Sequence, residues 1–257
     1  MVIAVRLSRI KVWNEDGVGV IAIDNGPENQ ITVDVMAQLM EALMAANQDS
    51  NVKWVALTAT GSAFFTAGFD WGSLGEDYDS VREFVRVFKA LVSLMVTLDK
   101  PIISILNGSA VGMGLELALL SDLTIAPPDV YLCYPEGSVG VPPAFSMPII
   151  QGRLPKPLAI RLLSGEPVTP VEAEGAGLLK VVPRGNLFGD AKSMIMGIRV
   201  NALMRRLMNR EVRLSIDEAE SVLIDALMSR CLTHTSRDEL IKAVKEARGR
   251  CRGRYHA

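Results

Sequence analysis

The stretch Ile102-Ile103-Ser104-Ile105-Leu106-Asn107-Gly108-Ser109-Ala110-Val111-Gly112-Met113-Gly114-Leu115-Glu116-Leu117-Ala118-Leu119-Leu120 decides the fold. Its first five residues form a short, β-branched apolar run, which reads as a buried strand. Asn107-Gly108 then opens a glycine-spaced turn, and a helix is expected from about Met113 to Leu120. Upstream, Lys100-Pro101 ends a helix expected from about Ser80 to Leu98, because proline cannot continue one. Strand, turn and helix in alternation are the unit of an α/β fold.

The same alternation extends in both directions. Ile10–Trp13 and Val18–Ile23 flank the polar turn Asn14-Glu15-Asp16-Gly17 and predict a hairpin. Thr32 is placed to cap a helix whose Val35, Met36, Leu39, Met40, Leu43 and Met44 form an apolar stripe, read as core or subunit interface. Trp54–Thr58, Leu123–Ala126 and Tyr131–Tyr134 read as further strands, and Thr169-Pro170-Val171-Glu172 is a capping box. Beyond about Phe188 strand signals vanish, leaving two or three helices that end in the basic segment Arg237–Arg254. The expected organisation is an α/β core over 1–188 and a helical extension over 189–257.

Composition narrows the chemistry. The chain has 257 residues, 49% of them hydrophobic, and a formal net charge of −2. These values fit a globular domain with ample core and give no reason to expect nucleic acid. Both histidines, His234 and His256, lie at the C-terminal end. A Ser-His-Asp triad, an HExxH zinc site or a Cys-His pair in the main domain is therefore excluded, and no metal site is expected. A general base there must be a carboxylate, lysine, tyrosine or cysteine. Cys133, Cys231 and Cys251 are widely spaced without a CxxC and read as reduced thiols of a cytoplasmic protein. Met1–Val5 before Arg6 is too short for a signal-peptide apolar region, and Pro101–Leu115 is too short to span a membrane.

Two loops stand out, 61–70 and 107–116, because each places glycine or small residues between a buried strand and a helix. Such turns expose backbone N–H groups, and two converging turns would build an oxyanion hole. Gly112-Met113-Gly114 matches half of a dinucleotide fingerprint, but Leu117 occupies the third glycine position, so a Rossmann reading is rejected. No P-loop motif occurs. Glu116 lies in an otherwise apolar helix, where an acid is either paired or used. Glu136, between Tyr134-Pro135 and Gly137, reads by itself as a solvated loop acid, yet it could face Glu116 across one cleft.

Taken together, Ala67-Gly68-Phe69-Asp70, Lys100-Pro101-Ile102-Ile103, Asn107-Gly108, Gly112-Met113-Gly114-Leu115-Glu116-Leu117-Ala118, Ser121-Asp122, Pro135-Glu136 and Gly140-Val141-Pro142 resemble the enoyl-CoA hydratase/isomerase (crotonase) superfamily. The resemblance implies a ClpP-like spiral of ββα units in two sheets. It also implies a C-terminal helical region that mediates a homotrimer or a dimer of trimers. Its implied substrate is an acyl-CoA thioester whose carbonyl accepts from the backbone N–H groups of Phe69 and Met113. Ala67, Gly68, Asp70, Gly112 and Gly114 fall in the implied CoA-binding segments. Glu116 and Glu136 take the place of the paired acids that add water across C2–C3. Coenzyme A is then part of the substrate, and no separate cofactor is implied.

Retention of both glutamates favours hydration over isomerisation, which relies on the later acid alone. Departures from the family pattern occur at Ala144-Phe145-Ser146-Met147-Pro148, where glycines are usual, and at Trp71 and Gly72, where leucine and often lysine stand. A non-catalytic, RNA-binding member is the alternative of a different class, motivated by the cations of 237–254. A solvated helix end is the preferred reading of those cations, with CoA phosphates as a further possibility.

Overall fold

The computed structural model describes residues 7–231 and 234–251. Strand β1 (Ile10–Glu15) pairs antiparallel with β2 (Val18–Ile23). Asp16 and Gly17 between them have φ of 51° and 88°. Two consecutive positive φ values make the tight turn whose twist suits a hairpin. The chain continues through α1 (Val33–Gln48), β3 (Trp54–Ala59), β4 (Phe64–Thr66), α2 (Tyr78–Thr97), β5 (Ile102–Ile105), β6 (Ser109–Val111), α3 (Met113–Leu119), β7 (Leu123–Ala126) and β8 (Leu132–Cys133). Helices α4 (Met147–Arg153), α5 (Lys156–Leu163) and α6 (Pro170–Gly175) precede the last strand, β9 (Lys180–Val181).

A six-stranded sheet has the order β1-β2-β3-β5-β7-β9, and a three-stranded sheet the order β4-β6-β8. Apart from the first hairpin, the strand pairs within both sheets are parallel. Each repeat gives its first strand to the large sheet and its second to the small one, which is how the chain spirals. All residues of β2 and β5 are buried, as expected of parallel strands covered on both faces. The loops expected at 61–70 and 107–116 therefore need correction, because each contains a strand of the small sheet. Three residues are too few to give a periodic signal.

Thr32 caps α1 by accepting from the Val35 N–H, and the capping box at Thr169 and Glu172 is formed. Asp77 caps α2, so this helix begins at Tyr78 rather than near Ser80. Among the described residues the C-terminal region holds four helices rather than two or three: α7 (Leu187–Ile195), α8 (Ala202–Met208), α9 (Arg210–Cys231) and α10 (His234–Arg250). Residue 188 lies inside α7. Val212, Leu223, Leu227, Leu240 and Val244 join the same buried cluster as α1, α2 and the strands. Among the described residues no helix is long and apolar enough to cross a membrane.

The cysteines differ from the expected free thiols. Cys133 at the end of β8 and Cys251 just after α10 form a disulfide across 118 residues. It is buried with Phe64, Ala67 and Val111. No sequence spacing signals it, because only the return of α10 across the core brings the two together. The side chain of Cys231 and all of His256 lie outside the described residues.

Candidate active site

The two strand-to-helix turns meet. Gly68 has φ of +86°, and a Cβ there would stand 2.8 Å from the Val111 carbonyl oxygen. Only glycine lets the two turns come this close. The Gly68 carbonyl accepts from the Ile31 N–H at 2.9 Å, and the Ile31 carbonyl accepts from Asp70 at 2.8 Å. Between these anchors, the Phe69 N–H has no hydrogen-bond acceptor among the described residues, and neither has the Met113 N–H. Met113 is the first residue of α3, where N–H groups have no intrahelical partner and the dipole favours negative charge.

Glu116, one turn into α3, is 3% exposed. Its Oε2 accepts from the Ser146 hydroxyl at 3.1 Å and the Ser146 N–H at 3.3 Å, and the Tyr134 phenol is a further partner. Glu136 is the second residue of the short 3-10 turn Pro135–Val139 after β8 and is 2% exposed. Its Oε1 accepts from the Trp71 indole N–H at 3.2 Å, while its Oε2 has no hydrogen-bond partner among the described residues. Read alone, Glu136 was expected to be solvated; Trp71, α3 and the residues of α10 packed on this turn bury it instead. Phe69, Met113, Glu116, Tyr134 and Glu136 line one cavity. The space they enclose is small, on the order of a single water molecule.

Burial disfavours both charged carboxylates. It pushes Glu116 up to about 8, with the Ser146 hydroxyl opposing and the neighbouring Glu136 adding to the rise. Glu136 is also raised by burial, opposed by its backbone and Trp71 hydrogen bonds and by the Arg248 cation. Burial, and then the two carboxyls, push the Tyr134 phenol well above its ordinary value.

A surface groove of about 550 Å³ adjoins this cavity at Trp71, which lines both spaces. Asp70, Lys245 and Arg248 are among its walls. Asp70 also caps the turn Trp71–Ser73 through the Gly72 N–H. Ala67, Gly68, Gly112 and Gly114 shape the surrounding backbone. A Cβ on Gly114 would stand 2.4 Å from Thr66 Cγ2, so its absence lets α3 seat against β4. Gly112 has φ of +53°, and a Cβ there would stand 2.2 Å from Glu136 Oε1. Gly112→Ala is therefore expected to displace Glu136 and lower kcat at least about ten-fold, since a one-ångström misplacement costs up to about a hundred-fold. Steady-state kinetics on the folded variant check this.

Four neighbours of the site were not assigned from sequence. Trp71 and Ser146 appeared only as departures from the family pattern, yet each holds one of the two carboxyls. Tyr134 precedes the Pro-Glu pair without a signal of its own. Arg248 was one of many tail cations. Its Nε donates to the Ala67 carbonyl at 2.8 Å and its Nη2 to the Phe69 carbonyl at 3.0 Å. Arg237 donates to the Leu74 carbonyl at 2.6 Å. The solvated reading thus fails for these two cations, whereas Lys242, Lys245 and Arg250 are exposed. Arg252 and Arg254 lie outside the described residues.

Comparison with known proteins shows the family. The sequence profile of the family described as "Enoyl-CoA hydratase/isomerase" matches residues 14–248. The chain is 33% identical over 183 residues to a probable enoyl-CoA hydratase of Bacillus subtilis, covering 68% of this chain and 69% of that protein. It is 31% identical over 192 residues to a glyoxysomal fatty acid beta-oxidation multifunctional protein of Brassica napus. That match covers 71% of this chain but spans only 26% of the larger protein. A crystal structure of an enoyl-CoA hydratase/isomerase from Xanthobacter autotrophicus Py2 superimposes with a TM-score of 0.78 at 25% identity, covering 94% of this chain and 97% of that one. The spiral of ββα units, the meeting of its two turns and the match over residues 14–248 place the chain in the enoyl-CoA hydratase/isomerase (crotonase) superfamily.

Proposed function

We propose that the protein hydrates a trans-2-enoyl-CoA to a 3-hydroxyacyl-CoA. The observation that carries this reading is the pair Glu116 and Glu136 lining one small buried cavity, on the order of a single water molecule, where Glu136 Oε2 has no hydrogen-bond partner among the described residues. Two like carboxyls buried together hold one proton between them more readily than two charges. Hydration requires that combination. The ionised carboxylate takes a proton from water as its oxygen bonds to C3. The C2–C3 π pair moves through C1 onto the thioester oxygen, and the Phe69 and Met113 N–H groups hold the resulting enolate. C2 then takes a proton from the protonated carboxyl, the thioester carbonyl re-forms, and the pair ends with one proton, as it began. Each backbone donor aimed at the developing charge contributes about 2.7–4 kcal/mol. The chemistry needs no cofactor, since coenzyme A arrives as part of the substrate.

The test is crotonyl-CoA, with loss of enoyl absorbance as the readout. Turnover is expected, and it should require both carboxyls. A protein inert toward crotonyl-CoA that converts a 3-enoyl-CoA to the 2-enoyl isomer, and does so without Glu116, would be an isomerase instead. We further propose that the chain forms a homo-oligomer through 189–257. In support, Ile198, Leu203, Met204, Leu207 and Met208 are 46–69% exposed and apolar, a row that suits a subunit interface.

A further inference from the structure

We infer that the site selects short-chain acyl-CoA thioesters, about four carbons long, and that Phe88, backed by Phe145, sets the limit. This rests on the hydratase reading above and deepens it.

With the thioester oxygen at the Phe69 and Met113 N–H groups, and C2–C3 between the carboxyls, carbon 4 and beyond must enter the far wall of the cavity. That wall is Phe84, Phe88, Val141 and Leu223, with the Phe69 and Trp71 rings of the reacting side packed against it. Its rings are locked against one another. Phe69 and Phe84 have centroids 4.2 Å apart, Phe69 and Trp71 5.1 Å, and Phe84 and Phe88 6.1 Å. Phe145 packs edge-on behind Phe88 at 4.9 Å and is fully buried. Phe84 and Phe88 project from the 20-residue helix α2, and Leu223 from the 22-residue α9. These two helices pack along each other, with Lys89 at their edge donating to both Asp217 and Glu220 at 2.6 Å. A wall carried on two linked helices resists the displacement that a long chain would require, because close-packed interiors are felt at the level of single methylenes.

Beyond this wall lies a separate depression of about 200 Å³, lined by Ala144, Met147, Ala219 and Val222 among others. The space a long acyl chain could use thus exists, but it shares no lining residue with the inner cavity, and α9 turns Val222 to one and Leu223 to the other. The Ala144–Pro148 departure from the family's glycines supplies Phe145, which packs behind Phe88.

Binding of saturated acyl-CoAs, measured by calorimetry on the full chain, tests the inference independently of turnover. In a tunnel that admits the chain, each added methylene tightens binding about four-fold. Here affinity should rise from acetyl- to butyryl-CoA and then fall at least about ten-fold by decanoyl-CoA. Phe88→Ala should raise the decanoyl-to-butyryl affinity ratio at least about ten-fold. The milder Phe88→Leu should raise the hexanoyl-to-butyryl ratio, should the alanine variant fail to fold. Tighter binding of decanoyl- than butyryl-CoA by the wild type, unchanged ratios in the folded variants, or no acyl-CoA binding at all would overturn the inference. A chain-length cut-off in binding without hydration of crotonyl-CoA would support it while removing the hydratase reading. Hydration of crotonyl- and decenoyl-CoA at similar kcat/KM would remove the inference and leave that reading intact.

Discussion

Glu116→Gln is expected to lower the rate of crotonyl-CoA hydration by about 10²–10⁴-fold, the range for a lost general acid or base, while making the folded protein more stable at alkaline pH. Both effects have one cause. Glu116 is held at 3% exposure with Ser146 and Tyr134 as partners and no cation against it. Burial raises its carboxyl from 4.5 to about 8. Between those two values the folded state binds a proton that the unfolded state has released, so stability falls as pH rises through this window. A shift of that size corresponds to about 4–5 kcal/mol. Glutamine has the same shape, can accept the Ser146 hydroxyl and carries no charge at any pH, so its variant lacks this slope. Urea unfolding at pH 5 and pH 9 should show the variant gaining on the wild type by several kcal/mol at the higher value. Parallel pH dependences, or hydration that survives the substitution, would contradict the expectation. The site thus holds its acid at the expense of stability, a common compromise at catalytic centres.

The largest purely structural effect is expected from Arg205→Met, at about 3–5 kcal/mol of destabilisation. Arg205 on α8 is fully buried. Its Nε donates to Asp122 Oδ2 at 2.7 Å, and its two Nη groups donate to the carbonyls of Leu98 and Met95 at the end of α2. Those carbonyls are among the groups a helix end leaves without partners. Asp122 Oδ2 also accepts the Ile102 N–H at 2.7 Å, so one guanidinium links α8, the end of α2 and the start of β5. Methionine fills the volume but leaves the largely covered Asp122 carboxylate without its cation and two carbonyls without donors. Thermal unfolding should show a fall of about 6–20 °C. Adding Asp122→Asn, which removes the stranded charge, should recover part of the loss. A variant within about 1 kcal/mol of the wild type would show that the pair is readily replaced by apolar packing.

Strands β1, β2, β3, β5, β7 and β8, helices α1 to α3 and the start of α6 were legible because they depend on neighbours a few residues away, whereas α4, α5 and β9 were not placed. The cap at Thr32, the capping box at Thr169 and the Asp16-Gly17 turn are each complete within four residues. Strands β4 and β6 were not legible: at three residues each, they exist because parallel pairing with a neighbour completes their hydrogen bonds. The two glutamates and the two glycine turns could be named in advance, since residue type and position are properties of sequence.

What holds those groups could not be named. Trp71 reaches Glu136 across 65 residues, Ser146 reaches Glu116 across 30, and Arg248 reaches Ala67 across 181. The same holds for the Cys133–Cys251 disulfide. By itself, the sequence determined the longer strands and helices of the core, where glycine is required and which acids are available for chemistry without histidine. The tertiary structure alone decided that Glu136 is buried rather than solvated, that the space beside it is small, and that α10 returns to cover the site. The division has a physical basis. Backbone geometry and capping are local, whereas desolvation and packing depend on whichever distant segments the folded chain brings to the same point.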